Sequence, residues 1–482
     1  MKIEKVHIKN FRGIENAQDI KFQPLSILIG ENGVAKTALL EAINFCLSPS
    51  FLSDRMKHTD FFQGTDSPIE IELRFDGVFK ANLPDGYTTQ PVDCNGIFLQ
   101  AKKRDKAKSG KIFADLVVTK HFVLPVANRT SDKGWVQKRK NGNDFLFSER
   151  QLSFPVSTDG LPRSFYFSRT RDKHIKKGFR TSMESIIDDF NWRFQRDIRK
   201  ATPPSLIPTE KLKLEKDIID TIDKKLIKKT FDEVNAKLAN FQVPDIELKI
   251  LDSSAPFNNM FLSRVVNDLE LQTNQIGSGI ELLVSLIFLE TLASLSKEDI
   301  IILIDEPELH LHPKLQKSLI PYFNEVIKTS QILCTTHSPY LYQDCVNRPN
   351  TELTICLKDK SDVISFDSIA SSNLFPWSPS WGEINFKAFD LPTVEFHNEL
   401  YGHLQDKNNT HTIASTESFL IAQGIVQSKS YIKFYKGTPQ PPSNMTIMTY
   451  IRNKIHHPEN TLNPDFTNKE IYDSVIEMMK II

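Results

Sequence analysis

The chain has 482 residues, with 60 Lys+Arg against 60 Asp+Glu, 40% hydrophobic and 25% charged residues. That composition excludes wholesale disorder, collagen-like repeats and a disulfide-stapled miniprotein, and the length predicts about three domains, or one large domain with additions. Zero net charge leaves no whole-chain field toward nucleic acid or membrane, so any polyanion site is a local patch.

Cys46, Cys94, Cys334, Cys345 and Cys356 form no CxxC pair and have no histidine at metal-finger spacing. They read as reduced, structural thiols in a cytoplasmic protein. The opening MKIEKVHIKNFRG has no apolar run behind its charges and is not read as a signal peptide. No stretch of about 18 uncharged apolar residues occurs, so no membrane span is expected.

Residues 2–9 alternate apolar and polar, which predicts a half-buried strand. The run Leu25–Ile29 leads into Gly30, and helical spacing follows over 36–47: strand, tight loop, helix. Residues 69–75 predict another alternating strand. The stretch from about 85 to 150 reads as a poorly patterned insertion, with strand-like pieces such as 112–119 and basic runs at 102–111 and 137–140. Residues 164–168 read as a buried strand. Arg163, Arg169, Arg171, Lys173, Lys176, Lys177 and Arg180 then stand against one acid, Asp172. This basic patch is a candidate nucleic-acid backbone contact; a solvated helix face is the alternative. Residues 181–200 and 209–239 have helical spacing, separated by Pro203, Pro204 and Pro208, which a helix interior does not accept. They predict a helical hairpin inserted at about 175–240, too short for a long coiled-coil arm. Core patterning resumes at 243–251, with a helix over 279–296, a strand at 300–304, a helix over 313–328 and a strand at 331–335. A domain boundary is expected near 360, and 385–482 read as mostly helical pieces.

Gly30-Glu31-Asn32-Gly33-Val34-Ala35-Lys36-Thr37 is nearly the P-loop pattern GxxxxGK[ST]. Backbone N–H groups and a helix N-terminus there cradle phosphates. Lys36 is placed to neutralise β/γ-phosphate charge, and the Thr37 hydroxyl to ligate Mg²⁺. Ala35 replaces the glycine expected before the lysine, and a positive φ at alanine costs roughly 1–2 kcal/mol. Four apolar residues precede Asp305-Glu306 in IILIDEPELHLHP, the Walker B arrangement. Asp305 is the candidate Mg²⁺ holder and Glu306 the base for the attacking water. His310 and His312 are not read as a metal site. His337, in Thr335-Thr336-His337-Ser338 after the next strand, is a candidate γ-phosphate contact. Ser278 and Gly279, in IGSGIE, open the helix before the acidic strand as an anion site.

These motifs in this order, with the opening KIEKVHIKNFRGIE, resemble the ABC-type heads of the SMC-like and OLD-like ATPases over about residues 1–350. The resemblance implies an α/β P-loop head, with ATP and Mg²⁺ as cofactors. It also implies homo-oligomerisation through paired heads that sandwich two nucleotides, Ser278 and Gly279 reaching the partner's nucleotide. Gln63 is a candidate for the family's Q-loop. After 350 no DxD on an apolar strand marks an OLD-type Toprim nuclease; Asp359 and Asp362 read as a solvated turn. INFKAFDLPTVEFHNELYGHLQ at 384–405 and YIRNKIHHPENTLN at 450–463 resemble PtuA-type ATPases of Septu-like and retron-linked anti-phage systems. That resemblance implies an HNH-nuclease partner, PtuB-like, and in some systems a reverse transcriptase with its DNA. Arg452 and His457 also match the Rx4-6H motif of HEPN ribonucleases; a helix end, with Arg452 paired to an acid, is the plainer reading. Phe396, Leu400 and Tyr401 share one helical face, as partner-binding anchors or as internal core.

The expected architecture is an ABC-type head over 1–360 and a mainly helical accessory, partner-binding domain over 361–482. The expected function is that of an ATP-binding switch subunit of a bacterial defence complex, with a HEPN-like ribonuclease gated by its own head, or a RecF-like DNA-repair ATPase, as alternatives.

Overall fold

The computed structural model describes residues 1–47, 56–83, 91–104, 115–125, 136–138, 144–146, 157–168, 224–243, 245–250, 260–266, 269–272, 278–295, 299–309, 311–343, 345, 348–359, 363–369, 374–435 and 437–482. They form two compact units, Met1–Phe366 and Asp367–Ile482.

The first unit carries two large sheets. β1 (Ile3–Phe11), β2 (Ile14–Lys21), β4 (Ile69–Asn82), β5 (Val92–Lys103) and β6 (Leu116–Val123) make an antiparallel sheet in the order β2-β1-β4-β5-β6. Within the stretch read as a poorly patterned insertion, residues 92–103 and 116–123 are therefore strands of this sheet. β5 is paired from Ala101 opposite Ile69 and β6 from Lys103 opposite Leu116. The described residues also include a short hairpin, β7 (Val136–Lys138) and β8 (Asp144–Leu146), and β9 (Ser157–Asp159), which pairs with β4.

The second sheet runs β10 (Arg163–Phe167), β14 (Ile300–Asp305), β15 (Gln331–Thr335), β3 (Leu25–Ile29), β16 (Thr351–Lys358), β17 (Ile364–Ser368). The four pairings from β10 to β16 are parallel, and β3, β14 and β15 are buried at every residue. Continuous Ile/Leu runs are what a strand covered on both faces requires. Helix α1 (Lys36–Leu47) lies between the sheets: its Leu39, Leu40 and Ile43 share one core with Ile8 and Ile71 of the antiparallel sheet and Ile301 and Leu333 of the parallel one.

Helix α2 (Lys224–Ala239) is the described part of the expected helical hairpin; 169–223 lie outside the described residues. It is followed by an antiparallel meander, β11 (Glu247–Ile250), β12 (Met260–Val266) and β13 (Leu269–Gln272). Helix α3 (Ser278–Leu295) is buried at every residue from Leu282 to Thr291, as its all-round apolar sequence demands. α2 packs on it through Phe231 against Phe288, ring centroids 5.2 Å apart, and an ion pair from Lys237 to Glu290. Helices α4 (Pro313–Val326) and α5 (Pro339–Gln343) complete the unit.

The second unit holds α6 (Trp381–Phe389), α7 (Val394–Lys407), α8 (Ile413–Ala422), α9 (Ile447–His456) and α10 (Asn468–Ile481). Each begins at a Ser or Thr whose hydroxyl accepts a backbone N–H of the first turn: Ser380, Thr393, Thr412, Thr446 and Thr467. Such caps satisfy donors that no helix can pair internally. Phe396, Leu400 and Tyr401 are 0–2% exposed and sit in one core with Leu420, Met448, Val475 and Met478. Their shared face is thus internal core, and the partner-anchor reading of these three residues falls. Between α8 and α9 a two-tier hairpin projects, β18 (Lys429–Tyr431) on β21 (Ser443–Met445) and, further out, β19 (Phe434–Tyr435) on β20 (Thr438–Pro439).

All five cysteines are buried and none is in a disulfide, and burial pushes the Cys46 and Cys94 thiols up to about 12. No helix among the described residues is long and apolar enough to cross a membrane.

Candidate functional site: the strand ends of the parallel sheet

The carboxyl ends of parallel strands are where open α/β sheets gather ligands, and here β3, β14 and β15 end side by side. The chain leaves β3 at Gly30, whose φ is 146°. A Cβ there would stand 2.3 Å from the Cys356 carbonyl oxygen on β16, so only glycine lets loop and strand approach this closely. Gly33 has φ 82° and Ala35 has φ 55°. α1 begins at the next residue, Lys36.

Lys36 is buried, and its Nζ donates to the Gly30 carbonyl (2.9 Å) and the Glu31 carbonyl (2.7 Å). The ammonium thus lies folded against the loop it would share with a phosphate. Burial lowers its pKa, and the field of Cys356, Glu306, Asp305 and Glu308 opposes that shift. Thr37 Oγ1 donates to the Asp305 carboxylate, 3.0 Å from each oxygen. Asp305 ends β14 at 1% exposure and accepts a second hydroxyl, Thr335 Oγ1, at 2.5 Å. The parallel register sets Asp305 against Thr335, so this bond follows from strand pairing.

Glu306 takes φ 51°, and its N–H donates to Thr335 Oγ1 (3.0 Å) and the Thr335 carbonyl (3.2 Å). This left-handed turn reverses the chain just past the strand end. Glu306 Oε1 lies 3.7 Å from His337 Nε2. Glu308 ties the two turns together. Its Oε1 accepts Thr336 Oγ1 (2.8 Å), His337 N–H (2.8 Å) and Ser338 N–H (3.2 Å), while Oε2 is buried without a hydrogen-bond partner. Burial raises the Glu308 pKa, against the pull of the His337 backbone and the Thr336 hydroxyl. Gln316 of α4 braces the same turn, accepting Ser338 Oγ at 2.7 Å.

Behind α1, Arg12 donates through Nε to Asp60 Oδ1 (2.9 Å) and pairs with Glu41. Burial raises the Glu41 pKa and Arg12 counters it.

The structure therefore brings Lys36, Thr37, Asp305, Glu306 and His337 to one place, on Gly30–Ala35. Ser278 is the first residue of α3 and Gly279 the second, while 273–277 lie outside the described residues. Gln63 is exposed in a tight turn at φ 47°. His312 caps α4, its Nδ1 accepting Lys314 N–H at 3.3 Å; His310 lies outside the described residues. In the second unit, Arg452 Nη1 donates to the neighbouring Asn453 Oδ1 (3.2 Å), an amide in place of the expected acid. His457 ends α9, half-exposed, with Nδ1 3.2 Å from Glu459 Oε1. Of the basic stretch, only Arg163 to Ser168 is described. Thr335 and Glu308 were missed as site residues. Both stand inside the recognised motifs, but only strand register and turn geometry give them a function.

The donors fit a nucleotide and its metal. One hydroxyl and one carboxylate, both oxygen ligands, suit a hard cation that takes its remaining ligands from phosphate and water. Among the described residues no cluster of three or more His, Cys, Asp or Glu forms a self-sufficient metal cage.

A family model described as an AAA ATPase domain matches residues 1–152 and 158–342, well over half of the chain. The chain belongs to the AAA ATPase domain family. The ATPase is 25% identical over 377 residues to the OLD nuclease of Thermus scotoductus, covering 76% of this chain and 64% of that protein. It is 22% identical to the Septu protein PtuA of Bacillus thuringiensis, covering 71% and 73% of the two chains. It is 25% identical to the retron Ec83 probable ATPase of Escherichia coli, covering 70% and 69%. The chain thus spans less than two thirds of the OLD nuclease's length. Among solved structures, the Smc head domain of Pyrococcus furiosus aligns at a TM-score of 0.38 and 14% identity, over 76% of this chain and 96% of that one. The resemblance to OLD-like ATPases stands.

Proposed function

We propose that the chain is the ATP-binding and ATP-hydrolysing regulatory subunit of a bacterial anti-phage defence complex that controls a partner nuclease. The observation that carries this reading is the Thr37 hydroxyl held 3.0 Å from both Asp305 oxygens at the mouth of a glycine-bent loop that holds Lys36. The relation to the Septu protein PtuA and the retron Ec83 probable ATPase supports the cellular setting.

Mg²⁺–ATP, when bound, supplies the phosphoanhydride and the metal charge that neutralises it. Lys36 leaves the Gly30 and Glu31 carbonyls and turns its ammonium to the phosphates. The α1 N-terminus and the loop N–H groups take the negative charge. Thr37 and Asp305 would hold the metal, with the Asp305 carboxylate fixed by Thr335. Glu306 accepts a proton from the attacking water, and His337 at its side steadies the γ-phosphate. Ser278 and Gly279 reach the nucleotide of a second copy, so two heads close on two ATP. The partner is an HNH nuclease, PtuB-like, with a reverse transcriptase and its DNA in a retron-type assembly.

Lys36→Ala tests the reading. ATP binding by calorimetry should fall below detection, and protection of cells from phage should be lost with the complex still assembled. Unchanged ATP binding would sink the phosphate-loop assignment. Loss of all nuclease activity in His457→Ala, with the complex assembled, would place the cutting site in this chain.

A further inference from the structure

The arm between α8 and α9 has a composition unlike the rest of the chain. From Ser418 to Pro458, 41 residues contain no Asp or Glu, yet hold Lys429, Lys433, Lys436, Arg452 and Lys454 with His456 and His457. In a chain of zero net charge, one segment is purely cationic. Two of these charges serve the fold: Lys429 pairs with Glu470, and Lys454 with Asp465. Lys433 is exposed at the root of the outer tier. That tier carries two large rings into solvent, Phe434 at 50% and Tyr435 at 63% exposure.

The rings are mounted, not merely left outside. A two-stranded ribbon of this size is marginal alone, and here its base is pinned by buried polar groups. Asn460 and Asn463 are 5% and 3% exposed. Their amides donate to the Ile432 carbonyl at 2.8 and 2.9 Å, and Asn463 Oδ1 accepts Ile432 N–H at 2.8 Å. Lys454, itself buried, donates to the Asn460 and Asn463 carbonyls at 3.4 and 3.0 Å. Gln440 N–H closes the outer tier on the Lys433 carbonyl at 2.8 Å. The turn so pinned begins at His457, whose Nδ1 lies 3.2 Å from Oε1 of Glu459, the turn's one acid.

The tip is also a poor template for strand addition. Its strands are two residues long, Pro439 occupies one of them, and Pro441 and Pro442 follow. Prolines and short length blunt an edge. What remains to such a surface is flat-face contact beside positive charge, which is how single-stranded nucleic acid is held without reading its sequence.

We infer that the hairpin tip is a single-stranded nucleic-acid contact, bases stacking on Phe434 and Tyr435 and the phosphate chain running past Lys433. This goes beyond the ATPase reading and does not depend on it.

The test is fluorescence anisotropy of the full chain, without nucleotide, against labelled oligo-thymidine and oligo-uridine of about 20 nucleotides and a duplex of equal length, the length chosen to exceed common single-strand site sizes. The wild type should bind the single strands and prefer them to the duplex; the thymidine and uridine arms tell DNA from RNA. Phe434→Ala and Tyr435→Ala should each weaken binding roughly 5- to 150-fold, the range for loss of one base-stacking ring. Phe434→Leu, which keeps the apolar bulk and loses the flat face, should weaken it as well. Lys433→Gln should lower the slope of log affinity against log salt by about 0.7. Melting temperature and ATP hydrolysis should stay at wild-type values in all four. No binding by the wild type at low salt, or wild-type affinity in Phe434→Ala and Tyr435→Ala, would overturn the inference. Loss of a protein partner from the complex with unchanged oligonucleotide binding would overturn it too, assigning the rings to a protein.

Discussion

Ala35→Gly isolates the departure of this phosphate loop from its pattern. Ala35 sits at φ 55°, and its carbonyl accepts Leu39 N–H at 2.9 Å, so this strained residue launches the first turn of α1. An L-residue in that region costs about 1–2 kcal/mol. Glycine removes the cost but adds about 0.4–1 kcal/mol of unfolded-chain entropy. The balance is a stabilisation between about 0 and 1.5 kcal/mol, which is a melting shift of up to about 2 °C for a unit as long as Met1–Phe366. The loop also gains freedom to settle around phosphates, so hydrolysis should rise. Ala35→Val sharpens the comparison, because a β-branched residue at positive φ is a genuine outlier. It should melt lower and hydrolyse more slowly than the wild type. The assays are thermal unfolding of nucleotide-free protein and steady-state phosphate release. If Ala35→Gly melts clearly below the wild type while Ala35→Val matches it, the backbone at 35 is not left-handed and the reasoning fails.

Glu308→Ala strips the acceptor from three donors of the His337 turn and should cost about 2–4 kcal/mol in urea unfolding, with Glu308→Gln costing less than half of that because one oxygen remains; equal losses would show that the shared oxygen does not matter. Glu306→Gln should leave ATP affinity intact and slow hydrolysis by roughly 10²–10⁴-fold, the usual worth of a general base; a wild-type rate would remove Glu306 from that role. His397 is fully buried, with Nε2 on Ser474 Oγ at 3.0 Å, and burial depresses its pKa to about 3. Between that value and the ordinary value near 6.5 the unfolded chain binds the extra proton, so stability is complete above about pH 6.5 and falls as pH drops toward 3. His397→Gln should flatten the acid limb of stability against pH by about 1.4 kcal/mol per unit in that window; an unaltered slope would mean the imidazole titrates normally.

The phosphate loop and the acidic strand were legible because each is local: a five-residue run, apolar but for Ser26, then a fixed set of residues at its end. The buried helix, expected over 279–296 and found at Ser278–Leu295, was equally plain from its largely apolar sequence. The antiparallel sheet was legible only in part: alternation at 2–9 and 69–75 marked β1 and β4, and the strand-like piece at 112–119 overlaps β6, but the ladder that joins them was not. β6 is only half-buried over most of its length and shows no alternation, and β5 loses its period at Gly96-Ile97, where both residues are buried. Pairing against β4 gives these segments their strand form, and pairing is not written in either alone. Phe396, Leu400 and Tyr401 show the converse limit. Spacing i, i+4, i+5 groups them on one face, but the same grouping serves an interface or a core, and burial alone decides. Glu308 was visible as a carboxylate in DEPE, yet its contacts arise from a turn 28–30 residues away in sequence.

The placement of β3 has a consequence for how the chain is made. Leu25 pairs with Ile332 on one side and Thr351 on the other. The strand that carries the phosphate loop therefore has no hydrogen-bonding neighbours until some 300 further residues have been synthesised, roughly 15–60 s at common elongation rates. Through that interval LSILI is an unpaired apolar strand, the kind of segment that aggregates or recruits chaperones. An N-terminal fragment holding β1 to β6 would thus be expected to precipitate and not to behave as a domain. Closing contacts of such long sequence separation also marks the head as a slow folder for its size. Production of the chain should accordingly respond more to growth temperature and chaperone supply than to the stability of the finished protein.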